Sequence, residues 1–364
     1  MSYLTDATIL NSRVRGSKDW RCLRSFQHPK RSPWNRNLST DVFYAGPKND
    51  RGEPTANHVI MVMSGTHGVE GPAGSRFQEH LVKSGYQDNL PPNTGLMLVH
   101  ALNPWGYAHL RRVDHKNVDV NRGAGPDFRT ICNYRQYQPL FEPKVWDAGA
   151  KQSLLEALKL PGAFQNLKDA ASGGQFDFSE GLFYGGKELC WSAQTIYELC
   201  KMLAHVQFLA VLDVHTGLGK NEEAAQISSA GPEDQALINR LRTALGPVEF
   251  PNIPDVGSVS SPIRGDILSA IVRWLPNTKV APVAVEIGGP IAAQELLLRL
   301  VAENCITHNP TSIHGLSLSQ ARSQLAEAFN PNTDSWNRAA LDACLRTYEG
   351  LLRYLQAESA LTTR

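Results

Sequence analysis

The stretch Ser64-Gly65-Thr66-His67-Gly68-Val69-Glu70-Gly71 follows the apolar run HVIMVMS, residues 58–64. Such a run is typical of a buried β-strand. The residues after it place an imidazole and a carboxylate three positions apart, an H-x-x-E spacing that suits metal binding. One such pair is weak evidence, because a histidine at a strand end is more often a hydrogen-bonded structural residue than a ligand.

Two later segments share this local design, in which an apolar run is followed by a polar functional group and then by glycine. They are Asp213-Val214-His215-Thr216-Gly217 and Val285-Glu286-Ile287-Gly288-Gly289. In open α/β sheets, ligands bind beyond the carboxyl ends of the strands. If the strands are parallel neighbours, we expect His67, Glu70, His215 and Glu286 to converge there.

The rest of the chain alternates between strand and helix patterns. Strands are predicted at 58–64, 95–101, 206–214 and 280–287, and helices at 71–84, 192–204, 233–245, 265–274, 291–305, 317–328 and 336–357. This alternation predicts an α/β fold with a mixed, mostly parallel central sheet and helices on both faces.

The 364 residues are long enough for one large α/β domain. We expect a single domain over 1–364, with 1–50 as an N-terminal extension of strand or loop. Residues 123–190 fit the alternation poorly and are rich in glycine, proline and aromatic residues. They are predicted to form an elaborated loop region near the site.

Composition argues against several classes of function. The net charge of +1 gives no electrostatic case for nucleic acid or an acidic membrane. No apolar stretch approaches the roughly 20 residues of a membrane span, and no signal peptide is visible. The six cysteines have irregular spacing without C-x-x-C, which favours reduced thiols. These features predict a cytoplasmic protein, and they leave the oligomeric state open.

A catalytic zinc ion takes three protein ligands and keeps a fourth position open. His67, Glu70 and His215 would form such a His2Glu set. Asp213, two residues before His215, would either orient that imidazole or brace the loop, and the sequence favours neither reading. Two other motifs fail. Gly181 to Lys187 begins like a P-loop but is followed by Glu188, and no G-x-S-x-G is present.

Three blocks together carry a family resemblance. They are residues 64–71, the pieces HALNPWGY (100–107), RRV (111–113) and NVDVNR (117–122), and DVHTGLG (213–219). With these blocks the sequence resembles the zinc carboxypeptidase superfamily, the M14 metallopeptidase class, and within it the DUF2817 family. GQ at 174–175 and LFYGG at 182–186 also match that family, and the resemblance covers roughly residues 58–290.

The resemblance implies a zinc carboxypeptidase-like fold in which His67, Glu70 and His215 bind one zinc ion. It also implies that Glu286 is the catalytic carboxylate. Asn121 and Arg122 would hold a substrate carboxylate. Arg112 would stabilise the oxyanion, with Arg111 as the competing register. Arg264 is either a further substrate contact or a surface arginine at a helix start.

These roles imply a zinc-dependent hydrolase that cleaves an amide by metal-activated water. We expect a carboxypeptidase-type enzyme whose partner is a small molecule or short peptide with a free carboxylate. An N-acyl amino acid deacylase of the aspartoacylase and succinylglutamate desuccinylase type is an alternative, and a non-catalytic metal-binding module is another. Gly123-Ala124, Trp105 and the lack of a mobile active-site tyrosine indicate a pocket unlike that of a digestive carboxypeptidase.

Overall fold

The computed structural model describes residues 2–126, 128–129, 133–253, 263–310 and 315–362. Among these residues, seven strands form one sheet in the order β1-β2-β4-β3-β5-β7-β6. The strands are β1 (Arg21–Gln27), β2 (Ser39–Ala45), β3 (His58–Met63), β4 (Thr94–His100), β5 (Phe208–Gly217), β6 (Ala224–Ser228) and β7 (Lys279–Gly288).

The four central strands β4, β3, β5 and β7 are parallel. They correspond to the four strands predicted from apolar runs. The outer strands β1, β2 and β6 pair antiparallel to their neighbours. The predicted mixed sheet with a parallel centre is therefore confirmed.

Helices cover both faces of the sheet. They are α1 (Tyr3–Arg15), α2 (Gly71–Lys83), α3 (Pro104–His109), α4 (Tyr134–Phe141), α5 (Ala148–Lys159), α6 (Ala163–Ser172), α7 (Trp191–Met202), α8 (Gln235–Leu245), α9 (Ile267–Trp274), α10 (Ala293–His308), α11 (Leu318–Phe329) and α12 (Asp334–Thr362). In β3, Ile60 and Val62 pack in the core with α1, α2, α8 and α12. Val59 and Met61 pack on the other face with α7 and α9. This division follows from the alternation of side chains along a strand.

Two regions differ from the sequence prediction. Residues 1–50, expected as strand or loop, supply the helix α1 as well as the strands β1 and β2. Residues 123–190, expected as elaborated loop, contain the three helices α4, α5 and α6. These three helices pack against α10 and α11 in a separate apolar cluster, not against the sheet. They are short, with 8, 12 and 10 residues, and α4 contains Pro139.

None of the described helices is both long and apolar enough to cross a membrane. The described cysteines, Cys22, Cys190, Cys200, Cys305 and Cys344, are free thiols. Cys132 lies outside the described residues.

Candidate metal centre

The parallel register of the central strands brings the predicted site residues together. Met63 of β3 is level with Asp213 of β5, and His215 of β5 is level with Glu286 of β7. The chain leaves β3 through His67 into a 3-10 helix at Gly68–Glu70, which turns Glu70 back towards β5. Gly68 is required in this turn because an added Cβ would lie 2.1 Å from the carbonyl carbon of Gly106.

Three side chains offer donor atoms to one shared point. His67 Nδ1 lies 2.9 Å from Glu70 Oε1, and His215 Nδ1 lies 3.1 Å from Glu70 Oε2. The two Nδ1 atoms are 3.2 Å apart. Ligand atoms around a tetrahedral zinc ion, at bond lengths of about 2.0–2.2 Å, are themselves separated by roughly 3.3 Å. The three residues are only 3%, 1% and 4% exposed, so this buried donor set fits a zinc ion in chemistry and in spacing.

The outer nitrogen of each imidazole faces a buried carboxylate. His67 Nε2 lies 3.2 Å from Asp119 Oδ1, and His215 Nε2 lies 2.8 Å from Asp213 Oδ2. A carboxylate can only accept, so in these pairs Nε2 carries the proton and Nδ1 presents a lone pair to the shared point. Asp213 also accepts a hydrogen bond of 2.8 Å from Thr66 Oγ1. Asp213 thus contacts both the imidazole of His215 and Thr66 in the loop after β3. The sequence had left open whether Asp213 orients the imidazole or braces the loop, and its contacts suit both roles.

The electrostatics of the centre match a site built for a cation. Burial opposes ionisation of Glu70, but His67, His215 and Arg112 outweigh it and hold the pKa of its carboxyl well below the ordinary value. Burial would lower the pKa of His215, yet Asp213 and Glu70 raise it well above the ordinary value. The raised pKa of His215 shows that Asp213 and Glu70 favour positive charge at the shared point.

Glu286 lies beside this centre without joining the donor set. Its Oε1 accepts a hydrogen bond of 2.9 Å from the backbone N–H of Leu218, and the residue lines the cavity. Burial and the nearby charge of Glu70 raise the pKa of Glu286 to about 7. A carboxyl in this range can both take and return a proton near neutral pH.

The two adjacent arginines have different surroundings. Arg111 is buried in an ion pair with Glu303 of α10, at 2.9 Å from Nε to Oε1. Arg112 lines the cavity and donates from Nη1 to Glu70 and from Nε to Asp119. Of the two registers that the sequence offered, the structure brings Arg112 to the metal centre and places Arg111 outside it.

Of the three residues predicted to contact substrate, two lie in the cavity lining and one lies outside the described lining. Asn121 and Arg122 line the cavity. Asn121 Oδ1 accepts from the backbone N–H of Ile267, while Nε and Nη2 of Arg122 both donate to the carbonyl oxygen of Ser172. Arg264 is exposed and is absent from the described cavity lining, although Ile263 and Asp266 contribute to it.

Two residues of the centre had no role assigned from the sequence. Asp119 binds both His67 and Arg112, and its position two residues before Asn121 was the available signal. Phe183 places its ring under both Arg112 and Arg122, with centroid distances of 5.1 and 5.4 Å to the guanidinium carbons. Its backbone φ of +51° is strained for a bulky residue, and no sequence pattern predicts that.

Comparisons with known proteins place this centre in a family context. Residues 17–343 match the family model described as "Protein of unknown function (DUF2817)". No curated protein sequence matches the chain.

Several solved structures resemble the fold at low sequence identity. Carboxypeptidase A from Helicoverpa armigera is 13% identical, with 89% of this chain and 74% of that chain covered and a TM-score of 0.47. Thrombin-activatable fibrinolysis inhibitor is 12% identical, with 90% and 74% covered and a TM-score of 0.47. Succinylglutamate desuccinylase from Chromobacterium violaceum is 13% identical, with 89% and 74% covered and a TM-score of 0.38. At these levels the likeness assigns no activity, which has to come from the residues of the centre.

Proposed function

The chain belongs to the DUF2817 family, and we propose that it is a zinc-dependent hydrolase that cleaves an amide bond in a small substrate. One observation carries this proposal. Two buried imidazoles, each tied to a carboxylate through Nε2, present Nδ1 together with Glu70 to one point, and Glu286 and Arg112 stand beside it. This combination supplies a metal-binding set, a proton acceptor and a cation within a single cavity.

His67, Glu70 and His215 would hold the zinc ion. Zinc bound there would supply Lewis acidity, which polarises a carbonyl and makes water more acidic. Asp119 and Asp213 fix the ring orientation of the two histidines, so the donor set is organised before the ion arrives.

Glu286 would move the proton that amide hydrolysis requires. Because Oε1 is held by the backbone N–H of Leu218, Oε2 is the atom that takes a proton from the attacking water and returns it to the leaving nitrogen.

Arg112 would stabilise the negative charge that develops on the carbonyl oxygen. Its Nη2 lies 2.8 Å from His67 Nε2, and the same Nε2 lies 3.2 Å from Asp119. Nε2 cannot accept from arginine and donate to a carboxylate at once. With the proton on Nε2 donated to Asp119, Nδ1 of His67 would be left to hold the zinc ion, and Nη2 of Arg112 would be free to donate to the oxyanion.

We further propose that the enzyme is of the carboxypeptidase type, acting on a substrate with a free carboxylate near Asn121 and Arg122. Two guanidinium groups, from Arg112 and Arg122, line the cavity and favour an anionic substrate. The N-acyl amino acid deacylase remains the second candidate, because its substrates also carry a free carboxylate and the same metal-binding set would serve both reactions. Arg122 already donates two hydrogen bonds to the carbonyl oxygen of Ser172, which limits its donors for a substrate carboxylate of either kind. Arg264 stays a proposed outer contact.

The test is a substrate panel on protein loaded with one equivalent of zinc. N-acyl amino acids, dipeptides and short peptides with free or amidated carboxyl ends are compared, with Glu286→Gln of equal zinc content as the inactive control. Hydrolysis that requires a free carboxylate and depends on Glu286 supports the proposal. Cleavage of peptides but not of N-acyl amino acids excludes the deacylase. Absence of any amide or ester hydrolysis would establish the non-catalytic module instead.

A further inference from the structure

The side chain of Arg111 lies outside the metal centre, yet its backbone holds the turn that carries Glu70. The carbonyl oxygen of Arg111 accepts a hydrogen bond of 2.9 Å from the N–H of Val69, and that of Arg112 accepts one of 3.2 Å from the N–H of Gly68. The side chain of Arg112 in turn donates to Glu70. A shift of the backbone at Arg111 would therefore move a proposed zinc ligand and the proposed oxyanion donor together.

The side chain of Arg111 is fastened to α10 through Glu303. Nε lies 2.9 Å from Oε1 and Nη2 lies 3.3 Å from Oε2, which makes a bidentate pair between residues only 3% and 4% exposed. Glu303 Oε1 also accepts from Thr307 at 2.8 Å and lies 3.2 Å from Nε of Arg322 on α11. Burial opposes ionisation of Glu303, but the two arginines hold its pKa below the ordinary value. Its carboxylate is therefore charged at neutral pH.

A second contact of Arg111 reaches the segment before Phe183. Nη2 of Arg111 donates to Asn117 Oδ1 at 3.2 Å, and Nδ2 of Asn117 donates to the carbonyl oxygens of Ser179 and Gly181 at 3.1 and 3.0 Å. Phe183 follows two residues later, with its ring under both arginines of the cavity. The pair of Arg111 and Glu303 is thus linked to the ring that supports these arginines.

Helix α10 contacts the cavity and this network in successive turns. Leu297 and Leu300 line the cavity, and Glu303 follows in the next turn. Asn304, beside Glu303, donates at 2.7 Å to the carbonyl oxygen of Glu180. One rigid helix therefore holds the segment before the aromatic ring at a second point, while Glu303 itself is absent from the described cavity lining.

Resting on the proposed hydrolase, we infer that Glu303 is a positioning residue for the metal centre and for Arg112. It acts through Arg111, whose fixed side chain sets the place of Arg112 and of the turn that carries Glu70. Removing both charges of a buried pair from water offsets most of their attraction, so the pair is a weak source of stability. Its bidentate geometry suits alignment, because a misplacement of about 1 Å can lower a reaction rate on the order of 100-fold.

Zinc binding tests the inference without turnover. Glu303→Gln keeps the size of the side chain but removes the charge that holds Arg111. We expect it to weaken zinc affinity by about fivefold or more, measured on the full-length protein by competition with a chromophoric chelator.

The matched control is Glu358→Gln on α12. Glu358 is 1% exposed and pairs with Arg240 at 2.7 Å and Lys279 at 3.5 Å, and all three residues are absent from the described cavity lining. This variant breaks a buried ion pair of the same kind and should keep the wild-type zinc affinity. A loss of affinity in Glu303→Gln alone supports the inference, and equal affinities in all three proteins would overturn it.

Turnover at saturating zinc tests the placement of Arg112. The substrate is the N-acyl amino acid or dipeptide that the wild type cleaves fastest. Glu303→Gln should lower kcat about tenfold or more and change KM less than about threefold, because a displaced oxyanion donor affects the transition state more than substrate binding. Glu303→Asp, which keeps the charge, should recover part of kcat. An equal fall of kcat in Glu358→Gln would mean that loss of stability alone is the cause, and would overturn the inference.

A double-mutant cycle tests whether Glu303 acts through Arg111. Arg111→Gln alone should show the same losses, and Glu303→Gln should add little to them in that background. Fully additive losses would contradict the inference. If Glu303→Gln folds poorly, Asn117→Gly tests the same network, because glycine suits the φ of +61° at this position. It should lower kcat about fivefold or more, and wild-type kcat there would overturn the inference.

Zinc affinity also separates this inference from the proposed function. A wild type that binds zinc but hydrolyses no amide overturns the hydrolase, and the zinc affinities of the variants still decide whether Glu303 positions the metal centre. Hydrolysis by the wild type together with unchanged zinc affinity in Glu303→Gln would overturn the inference and leave the hydrolase intact.

Discussion

The Nδ1 atoms of His67 and His215 lie 3.2 Å apart, although 148 residues separate the two histidines in the sequence. Each ring directs Nε2 to a buried carboxylate, so two lone pairs and the Glu70 carboxylate meet at one point. Such an arrangement is electrostatically unfavourable without positive charge. A cation bound by all three groups would balance this charge.

Removing either histidine should abolish stable zinc binding. We expect His67→Ala and His215→Ala to weaken zinc affinity more than about 100-fold. Each variant loses one zinc ligand, and the carboxylate that oriented this ligand is left without its imidazole. His205→Ala, at an exposed position, is the matched control and should retain one equivalent. Metal analysis after dialysis against a weak chelator measures this. Full zinc retention in both site variants would refute the ligand set.

Replacing the two carboxylates that contact Nε2 of the histidines, Asp119 and Asp213, should affect zinc binding alike but kcat differently. Asp213→Asn and Asp119→Asn should each weaken zinc binding by about 10–100-fold. Asp119 also holds Nε of Arg112 at 3.1 Å, so its variant should in addition lower kcat at saturating zinc. The described hydrogen bonds of Asp213 join it to His215 and Thr66 and to no arginine of the centre. The Asp213→Asn variant should therefore recover most of its kcat when zinc is in excess.

A comparison of the two variants at increasing zinc concentration measures this difference. Equal recovery of kcat in both would show that Asp119 acts only through the histidine.

Much of this centre was predictable because it follows from strand ends. His67 and Glu70 follow the end of β3, while His215 and Glu286 lie near the ends of β5 and β7, and parallel pairing brings these strand ends to one edge. The helical part of the cavity lining was not predictable in the same way. Phe164 of α6 and Leu297 of α10 both line the cavity, and no pattern along the chain predicts that they come together there.

Replacement of Glu286 should separate zinc binding from turnover. Glu286→Gln keeps a side chain of the same size that can still accept from Leu218 N–H, but it cannot take a proton from water. We expect normal zinc content and a loss of about 10²–10⁴-fold in kcat. Glu327→Gln, at an exposed site on α11, serves as the control and should match the wild type. Normal kcat in Glu286→Gln would reject its role in proton transfer.

Phe183 is predicted to position both arginines of the cavity. Its ring lies under Arg112 and Arg122, and such contacts are worth roughly 0.5–2 kcal/mol each. Phe183→Leu keeps an apolar side chain without the ring face. It should lower kcat/KM about fivefold or more while zinc content stays unchanged.

Phe178→Leu is the matched control, because its ring supports Arg135 outside the described cavity lining. It should leave kcat/KM unaltered. A fall in folding stability without any change in kcat/KM of Phe183→Leu would mean that Phe183 has a structural role only.

His100 at the end of β4 should make folding stability depend on pH. Burial lowers the pKa of this histidine to about 4, and its Nε2 has no hydrogen-bond partner among the described residues. The unfolded chain, with an ordinary histidine pKa of about 6.5, binds more protons between these values. The free energy of unfolding should therefore fall as pH falls, by about 2 kcal/mol between roughly pH 7 and pH 5.

Urea denaturation at the two pH values compares the wild type with His100→Gln, whose amide can still pair with the neighbouring Gln78 side chain. Zinc loss at low pH affects both proteins equally, so the difference between them isolates His100. We expect the variant to be less stable at neutral pH yet to lose about 2 kcal/mol less on acidification. Parallel pH profiles would show that the buried imidazole is not the group that titrates.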